Sequence, residues 1–283
     1  MAPQVLLATD SAHPDGEPGG DVLLAALTAR GITAEWVNWT DASVPWSEAS
    51  VIAIRSTWDY CAHLSEFLAW TKSLPATALL HSTEVFVWNT DKKYLLELQA
   101  KGVRIVPTKY VTSLAELGNE VRGKGTVVVK PSVGASGLGV QLVTDAGAEW
   151  VPEEKGPWVV QPFVESIREE GELSVVVIDG VVTAQIRKII AKGEFKANRT
   201  AGVKFEALIP GDVEAEKVAK VAYEITEKVV GMRLSYARID LLKWQGGWVV
   251  SEVEVTEPSL GFGIVPKTAE HFAGMVKRRI GGT

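Results

Sequence analysis

The sequence predicts an α/β protein: an N-terminal α/β lobe with a mostly parallel sheet, followed by two α+β lobes. Three observations predict it. Short apolar strands alternate with helical segments through the N-terminal third. A glycine-rich stretch, Thr126 to Val140 (TVVVKPSVGASGLGV), sits between two runs of β-formers. Two later segments, Glu172 to Lys188 and Tyr236 to Val255, alternate apolar with charged residues about turn signals, as half-buried hairpins do.

Composition narrows the function. The chain has 283 residues, with 29 Lys and Arg against 35 Asp and Glu, a net charge of −6. That balance, without a basic run, argues against a general nucleic-acid binder. Cys61 is the only cysteine, so neither an intrachain disulfide nor a thiolate zinc site can form, which suits a reducing cytoplasm. MAPQVLLATD lacks a basic n-region and reads as a first strand, not a signal peptide. No apolar run reaches spanning length, so no membrane partner is expected and a cytoplasmic location is.

In chain order, Val5 to Ala8 is a strand. Val22, Leu23, Ala26 and Leu27 fall at helical spacing, and Gly31 lies past the helix end. Ala34 to Val37 and Val51 to Ile54 are the next strands. Ligands sit at the carboxyl ends of such strands. Arg55-Ser56-Thr57-Trp58-Asp59-Tyr60 is therefore placed at a cleft edge, with Arg55 and Ser56 as substrate contacts, the arginine gripping a carboxylate. A polar loop before a helix is the plainer reading. Helices follow over Leu64 to Ser73 and Asp91 to Lys101, then a strand over Val103 to Val106, with a lobe junction at Pro107. Lys92 and Lys93 stand in a helical first turn, where the macrodipole disfavours cations, which hints at an anionic partner for one of them; an ordinary surface lysine is the default reading.

In the glycine-rich stretch, a strand ends in Lys130 and Pro131. Gly134, Gly137 and Gly139 then alternate with Ser132 and Ser136, and Val140 to Val143 resumes as strand. Small residues let backbone N–H groups approach an anion, and Lys130 adds a point charge. The lysine precedes the glycines and a strand follows them, so neither a Walker loop nor a Rossmann loop fits. The alternative is a hairpin with a flexible tip. Trp158 to Gln161 is another strand, and Gln161-Pro162-Phe163-Val164 offers an edge and an aromatic suited to adenine.

The first late hairpin turns at Asp179-Gly180, a type I′ signal. With an uninterrupted ladder, Ile178 faces Val181 and Glu172 faces Arg187, so Glu172, Ser174, Gln185 and Arg187 share a face. Glu172 then either holds a ribose hydroxyl or pairs with Arg187. The second hairpin is read with a three-residue loop, Gln245-Gly246-Gly247, which puts Trp244 opposite Trp248 and Asp240 opposite Glu252. Glu254 shares that face. Three carboxylates then converge with no basic residue among them. Like charges opposite one another destabilise a ladder, so the arrangement points to a divalent cation held by oxygen, against a solvated acidic face. Between the hairpins, Lys196, Asn198 and Arg199 lie on a polar loop. An amphipathic helix over Asp212 to Val230 ends at Gly231, and a last helix covers Lys267 to about Ile280.

The order of these motifs is specific: a lysine at a helix start, strand-Lys130-glycine loop-strand, Gln161-Pro162-Phe163-Val164, a glutamate-led hairpin, a basic Asn-containing loop and a carboxylate hairpin. From Asn89 to Phe262 the chain resembles the ATP-grasp superfamily, in its glutathione-synthetase-like and ribosomal-S6-modification-like branch. Arg55 to Tyr60, and Glu252-Val253-Glu254 followed by Glu257-Pro258-Ser259-Leu260, are similar to the subgroup containing the cyclo-ligase of D-cycloserine formation, which closes O-ureido-D-serine with ATP. The resemblance implies an ATP-grasp fold behind an N-terminal pre-ATP-grasp domain: residues 1–106 on the substrate side, 107–165 as the small lobe with the flap, and 166–283 as the large lobe.

It also implies roles. Lys92 and Lys130 would contact phosphates. The loop with Ser132, Gly134, Ser136 and Gly137 would close over them as a flap, ordered by nucleotide. Gln161, Phe163 and Val164 would line the adenine slot, and Glu172 would hold the ribose. Asp240, Glu252 and Glu254 would bind Mg²⁺, with Asn198 assisting. Lys188 and Lys196 would stabilise the transferring phosphoryl group, and Ser259 would line the acceptor pocket. Relatives carry Arg where Lys188 and Lys196 stand, and Lys cannot form the same fork. Arg187 is therefore a third catalytic candidate, which the face argument prefers to Lys188. Relatives often have Asn at Glu254, and their Gly-Gly after the basic loop is here Ala201-Gly202. The implied reaction is ADP-forming: ATP phosphorylates a small amino-acid-like carboxylate, and a nitrogen nucleophile, on a second molecule or the same one, displaces phosphate. A homo-oligomer is common among such enzymes. The alternative from another class is an ATP-binding regulatory or scaffold protein without turnover.

Overall fold

The computed structural model describes residues 3–144, 150–197 and 202–281. In the N-terminal lobe β1 (Val5–Thr9), β2 (Ala34–Asn38) and β3 (Val51–Ser56) form a parallel sheet in the order β2-β1-β3. β1 and β3 are buried on both faces, which is why they read as continuous apolar runs. α1 (Gly20–Thr28) covers one face, and α2 (Leu64–Ser73) and α3 (Thr83–Asn89) cover the other through Phe67 and Phe86.

α4 (Tyr94–Ala100) starts later than expected. Lys93 caps it, with its N–H on the Asp91 side chain (2.9 Å), and Lys92 lies ahead of it. The strand expected over Val103 to Val106 is instead a single bridge, Ile105 with Val250.

The small lobe is an antiparallel sheet in the order β4-β7-β5-β6, from β4 (Lys109–Val111), β5 (Thr126–Pro131), β6 (Gln141–Thr144) and β7 (Trp158–Pro162). α5 (Leu114–Val121) packs on it. The glycine loop joins β5 to β6, as expected. α6 (Ser166–Glu169) leads into the large lobe.

The large lobe holds β8 (Glu172–Ile178), β9 (Val181–Ile189), β10 (Lys204–Ala207), β11 (Tyr236–Trp244) and β12 (Gly247–Glu254) in one antiparallel sheet, β10-β9-β8-β11-β12. α7 (Val213–Val230) lies on one face, capped by Asp212, whose side chain accepts the Ala215 N–H (2.9 Å), and closed by Gly231 at φ 69°. Leu173, Val175, Val177, Ile239, Leu241 and Val253 point to that helix. The opposite face changes along its length. Val176, Ile178, Ala184 and Tyr236 pack on α8 (Lys267–Gly281) and the N-terminal lobe, while Glu172, Asp240 and Glu254 face a cavity. The outer edge of β12 is covered by the Arg104 and Val106 backbone, the Tyr94 hydroxyl and the Asn89 amide, as a buried sheet edge requires.

Both hairpin registers differ from the uninterrupted ladders. Asp179 and Gly180 form the expected turn, both at positive φ (49° and 78°). Thr183, however, is an extra residue between the Val177–Val182 and Val176–Ala184 pairs. The ladder beyond this bulge slips by one, so Glu172 faces Lys188 and not Arg187, and a one-residue slip exchanges the two faces of a strand. In the second hairpin the loop is only Gln245 and Gly246, and Trp244 faces Gly247. The extra residue sits mid-strand at Ser251, which restores Asp240 opposite Glu252 as expected.

Candidate active site

A cavity of about 430 Å³ lies between the small-lobe and large-lobe sheets, with one wall supplied by the N-terminal lobe. At one end is an apolar slot of Val106, Val128, Phe163, Val164, Ile167 and Leu242. Gln161 lines it with its side-chain amide donating to Thr108 Oγ1 (2.9 Å), and the Arg168 guanidinium lies 4.6 Å from the Phe163 ring. A flat heteroaromatic ring suits such a slot.

Next to the slot the carboxylates and cations alternate. Lys188 Nζ donates to Glu172 (2.5 Å) and to Asp240 (3.1 Å), and Ser174 Oγ adds a 2.6 Å bond to Asp240. Arg238 grips Asp240 through Nε (3.0 Å) and Nη2 (2.9 Å), and its Nη2 also donates to Glu254. Lys130 donates to Glu252 (3.2 Å). Lys92 donates to the Gly134 carbonyl (2.8 Å), tying the glycine loop across the cavity.

The electrostatics follow from this pairing. Burial acts to raise the Asp240 pKa, but Arg238 and Lys188 outweigh it and hold the group well below the usual carboxylate range. Burial likewise opposes ionisation of Glu252, and Lys92 and Lys130 keep its pKa low. Burial pushes Glu254 up to about 7 against the pull of Arg238, with Asp240 and Glu252 adding to the rise. Burial acts to lower Lys188, yet Asp240 and Glu172 leave it above its ordinary value.

Lys92, Lys130, Gly134, Ser136, Gly137, Gln161, Phe163, Val164, Glu172, Lys188, Lys196, Asp240, Glu252, Glu254 and Ser259 all line this one cavity. Asn198 lies outside the described residues. Four expectations are corrected. Arg187 leaves the site because the Thr183 bulge turns it to the opposite face, where its strand position pairs with Glu206 of β10. Ser132 is buried beneath the loop and does not line the cavity; its backbone bonds to Lys92 and Pro157. Arg55 and Ser56 belong to β3 and are fully buried away from the cavity. Arg55 pairs with Glu17, donates to the Pro258 carbonyl (2.6 Å) and stacks 4.7 Å from the Tyr236 ring centroid, while Ser56 Oγ donates to Thr9 Oγ1 (2.7 Å). Arg55 therefore positions the segment carrying Ser259.

The acidic face is also not free of basic residues, since Arg238 stands opposite Glu254 within it. Arg238 was legible, because it lies two residues before Asp240 on the same strand and so shares its face. His13, Trp58, Tyr60 and Glu257 complete the wall on the N-terminal side; Trp58 and Tyr60 lie in the segment expected at the cleft edge and Glu257 opens the segment that carries Ser259, whereas no local sequence signal marks His13. Glu257 makes no ion pair among the described residues, and burial, with Glu254 adding, pushes it up to about 8.

The carboxylate oxygens suit a hard divalent cation. In the present arrangement guanidinium and ammonium groups stand between them, and among the described residues no three such side chains are close enough to hold a metal. Among those residues no helix is long and apolar enough to cross a membrane.

Comparison with known proteins agrees with this geometry. Residues 5–81 match the N-terminal domain of D-cycloserine synthetase DcsG, and residues 95–264 match the RimK-like ATP-grasp domain. The chain is 29% identical over 276 residues to the cycloserine biosynthesis protein DcsG of Streptomyces lavendulae, covering 91% of this chain and 92% of that one. The crystal structure of D-cycloserine synthetase DcsG superposes with a TM-score of 0.83 at 27% identity, over 98% of this chain and 99% of that chain. D-alanine–D-alanine ligase from Bacillus anthracis shares the fold at 16% identity, with a TM-score of 0.68 over 99% of this chain and 97% of that one. With a family match over more than half its length, the chain belongs to the RimK-like ATP-grasp family of ATP-dependent, C–N bond-forming ligases.

Proposed function

We propose that this ligase activates the carboxylate of a small amino acid as an acyl-phosphate, releasing ADP, and then joins it to a nitrogen of the same molecule, closing a ring. The observation that carries the reading is the convergence of Lys92, Lys130, Lys188 and Arg238 between an apolar slot and a pocket walled by the N-terminal lobe. The full-length similarity to DcsG favours O-ureido-D-serine as the first acid to test. Cys61, the only cysteine, is free, which suits a reducing cytoplasm, and we place the enzyme there.

Phe163, Val164 and Gln161 receive the adenine, and Glu172 the ribose. Lys130 and Arg238 leave their carboxylates for the phosphates, and Asp240, Glu252 and Glu254 are then free to hold Mg²⁺. A divalent ion held by these carboxylates would supply neutralisation of phosphate charge. Lys188 and Lys196 face the developing charge of the acyl-phosphate, where a preorganised cation counts most. Glu257, unpaired in the acceptor wall, receives the substrate ammonium. The glycine loop, tied down by Lys92, excludes water from the intermediate.

The test is ADP release with Mg-ATP and O-ureido-D-serine, followed by a mass-spectrometric search for the cyclised product. The expected result is acid-dependent ADP release that chelation of Mg²⁺ abolishes. Glu252→Gln should lose that release while keeping the melting profile. ATP binding without release across a broad set of amino acids would instead support a regulatory or scaffold protein.

A further inference from the structure

We infer that His13 is the base that takes the proton from the nitrogen nucleophile, with Asp10 positioning its ring; this rests on the ligase reading above. Asp10 follows the carboxyl end of β1, the central strand of the parallel sheet, where such sheets place functional groups. It is buried (2% exposed), and its N–H is fixed on the Ser56 carbonyl (3.1 Å). Its Oδ1 accepts from the Ala12 N–H (3.0 Å) and contacts His13 Nδ1 at 2.7 Å. A carboxylate only accepts, so Nδ1 carries a ring proton, and in the neutral imidazole the lone pair lies on Nε2. The ring stands edge-on to Trp58, with centroids 4.6 Å apart and planes at 82°. Trp58 is itself held by its indole N–H on the Glu257 carbonyl (3.1 Å). The His13 side chain, 40% exposed, lines the cavity on the wall that Tyr60, Glu257 and Ser259 share.

The other bases in reach are worse placed. Glu172, Asp240, Glu252 and Glu254 are each engaged by a cation. A cationic partner weakens a carboxylate as a proton acceptor. Glu257 is the competitor without one among the described residues.

The step balances without a further reactant. The nitrogen lone pair attacks the acyl carbon and forms the C–N bond. The C–O bond to phosphate breaks, and phosphate leaves with the electron pair. The N–H proton passes to His13 Nε2, and Asp10 stabilises the resulting imidazolium.

Hydroxylamine separates this step from the first, because it captures an acyl-phosphate as a hydroxamate without needing the enzyme's base. With Mg-ATP and O-ureido-D-serine, wild type should give ADP and cyclic product, and hydroxamate when hydroxylamine is added. His13→Gln should keep hydroxamate formation near the wild-type rate and lose cyclic product by about 10²–10⁴-fold. Asp10→Asn should lower the product rate by a smaller factor, with hydroxamate formation and both KM values unchanged. Wild-type product rates in His13→Gln overturn the assignment, as does a matched loss of hydroxamate and product. So does the same split appearing in Glu257→Gln and not in His13→Gln. Failure of wild type to release ADP with this acid is a separate result and counts against the substrate reading. Imidazole ¹⁵N NMR needs no turnover: a His13 ring protonated at Nδ1, and losing that preference in Asp10→Asn, supports the proposal, and a proton resident on Nε2 overturns it.

Discussion

The end of the cavity proposed to take the nucleotide and the end proposed to take the acceptor are built by different means. At the nucleotide end the walls are neighbouring strands, and charge is placed by register: Glu172 beside Lys188, Asp240 beside Glu252, Arg238 beside Glu254. At the acceptor end the wall is assembled from distant pieces. Glu17 takes the Leu260 N–H across 243 residues (2.7 Å), Arg55 holds the Pro258 carbonyl, and Trp58 holds Glu257. The first construction ties chemistry to the sheet. Under the function proposed above, the second would let the N-terminal lobe shape the acceptor pocket without disturbing the phosphates. Lesions at the nucleotide end should therefore remove turnover, and lesions in the acceptor ties should remove stability and substrate affinity.

The largest separation is expected from Lys188→Met. Removing a cation from developing phosphate charge should lower ADP formation by about 10²–10³-fold, measured by coupled assay under saturating ATP. A variant within tenfold of wild type would break the comparison at its stronger end. Arg55→Met should behave oppositely. Stripping the partner from buried Glu17 should cost about 3–5 kcal/mol in chemical denaturation, and combining it with Glu17→Leu should recover most of the loss. A single variant as stable as wild type would show that the ties carry no load.

A smaller effect concerns pH. The folded protein holds the Glu257 proton up to about 8, whereas the unfolded chain releases it near the ordinary glutamate value of 4.5. A raised folded pKa gives stability that is complete below about 4.5 and lost as pH rises towards 8. Melting temperature without ligands should fall across that window, by about 2–4 °C for each kcal/mol lost, and Glu257→Gln should flatten the fall. The smallest effect is expected from Arg187→Met. Its face lies away from the cavity, so kcat should stay within about twofold, the range of a substitution away from special contacts. A loss comparable with Lys188→Met would restore the uninterrupted register.

Most of the nucleotide end was legible in the amino-acid order. Lys130 before the glycines, Gln161 to Val164, and Asp240 with Glu252 and Glu254 are read from local alternation, which a strand obeys wherever it packs. Arg238 was equally readable by the same alternation. The bulges were not: Thr183 and Ser251 carry no local turn or glycine signal, and the ladders on either side of each keep Val177 and Val253 in the core shared with α7. Two misplaced residues had opposite consequences. In the second hairpin the expected three-residue loop and the real bulge give the same pairing at Asp240, while in the first the slip exchanged Arg187 for Lys188.

The chain's own order thus determined the lobes, the glycine loop, the strands with their facing pattern, and the family resemblance, because those follow from short-range periodicity and turn chemistry. Tertiary structure decided that Arg55 is a buried tie and not a substrate contact, that Lys188 is the lysine inside, and that His13, Trp58 and Glu257 share a wall. Those outcomes depend on contacts between segments far apart in sequence, where a buried charge must find whichever partner the packed fold brings to it.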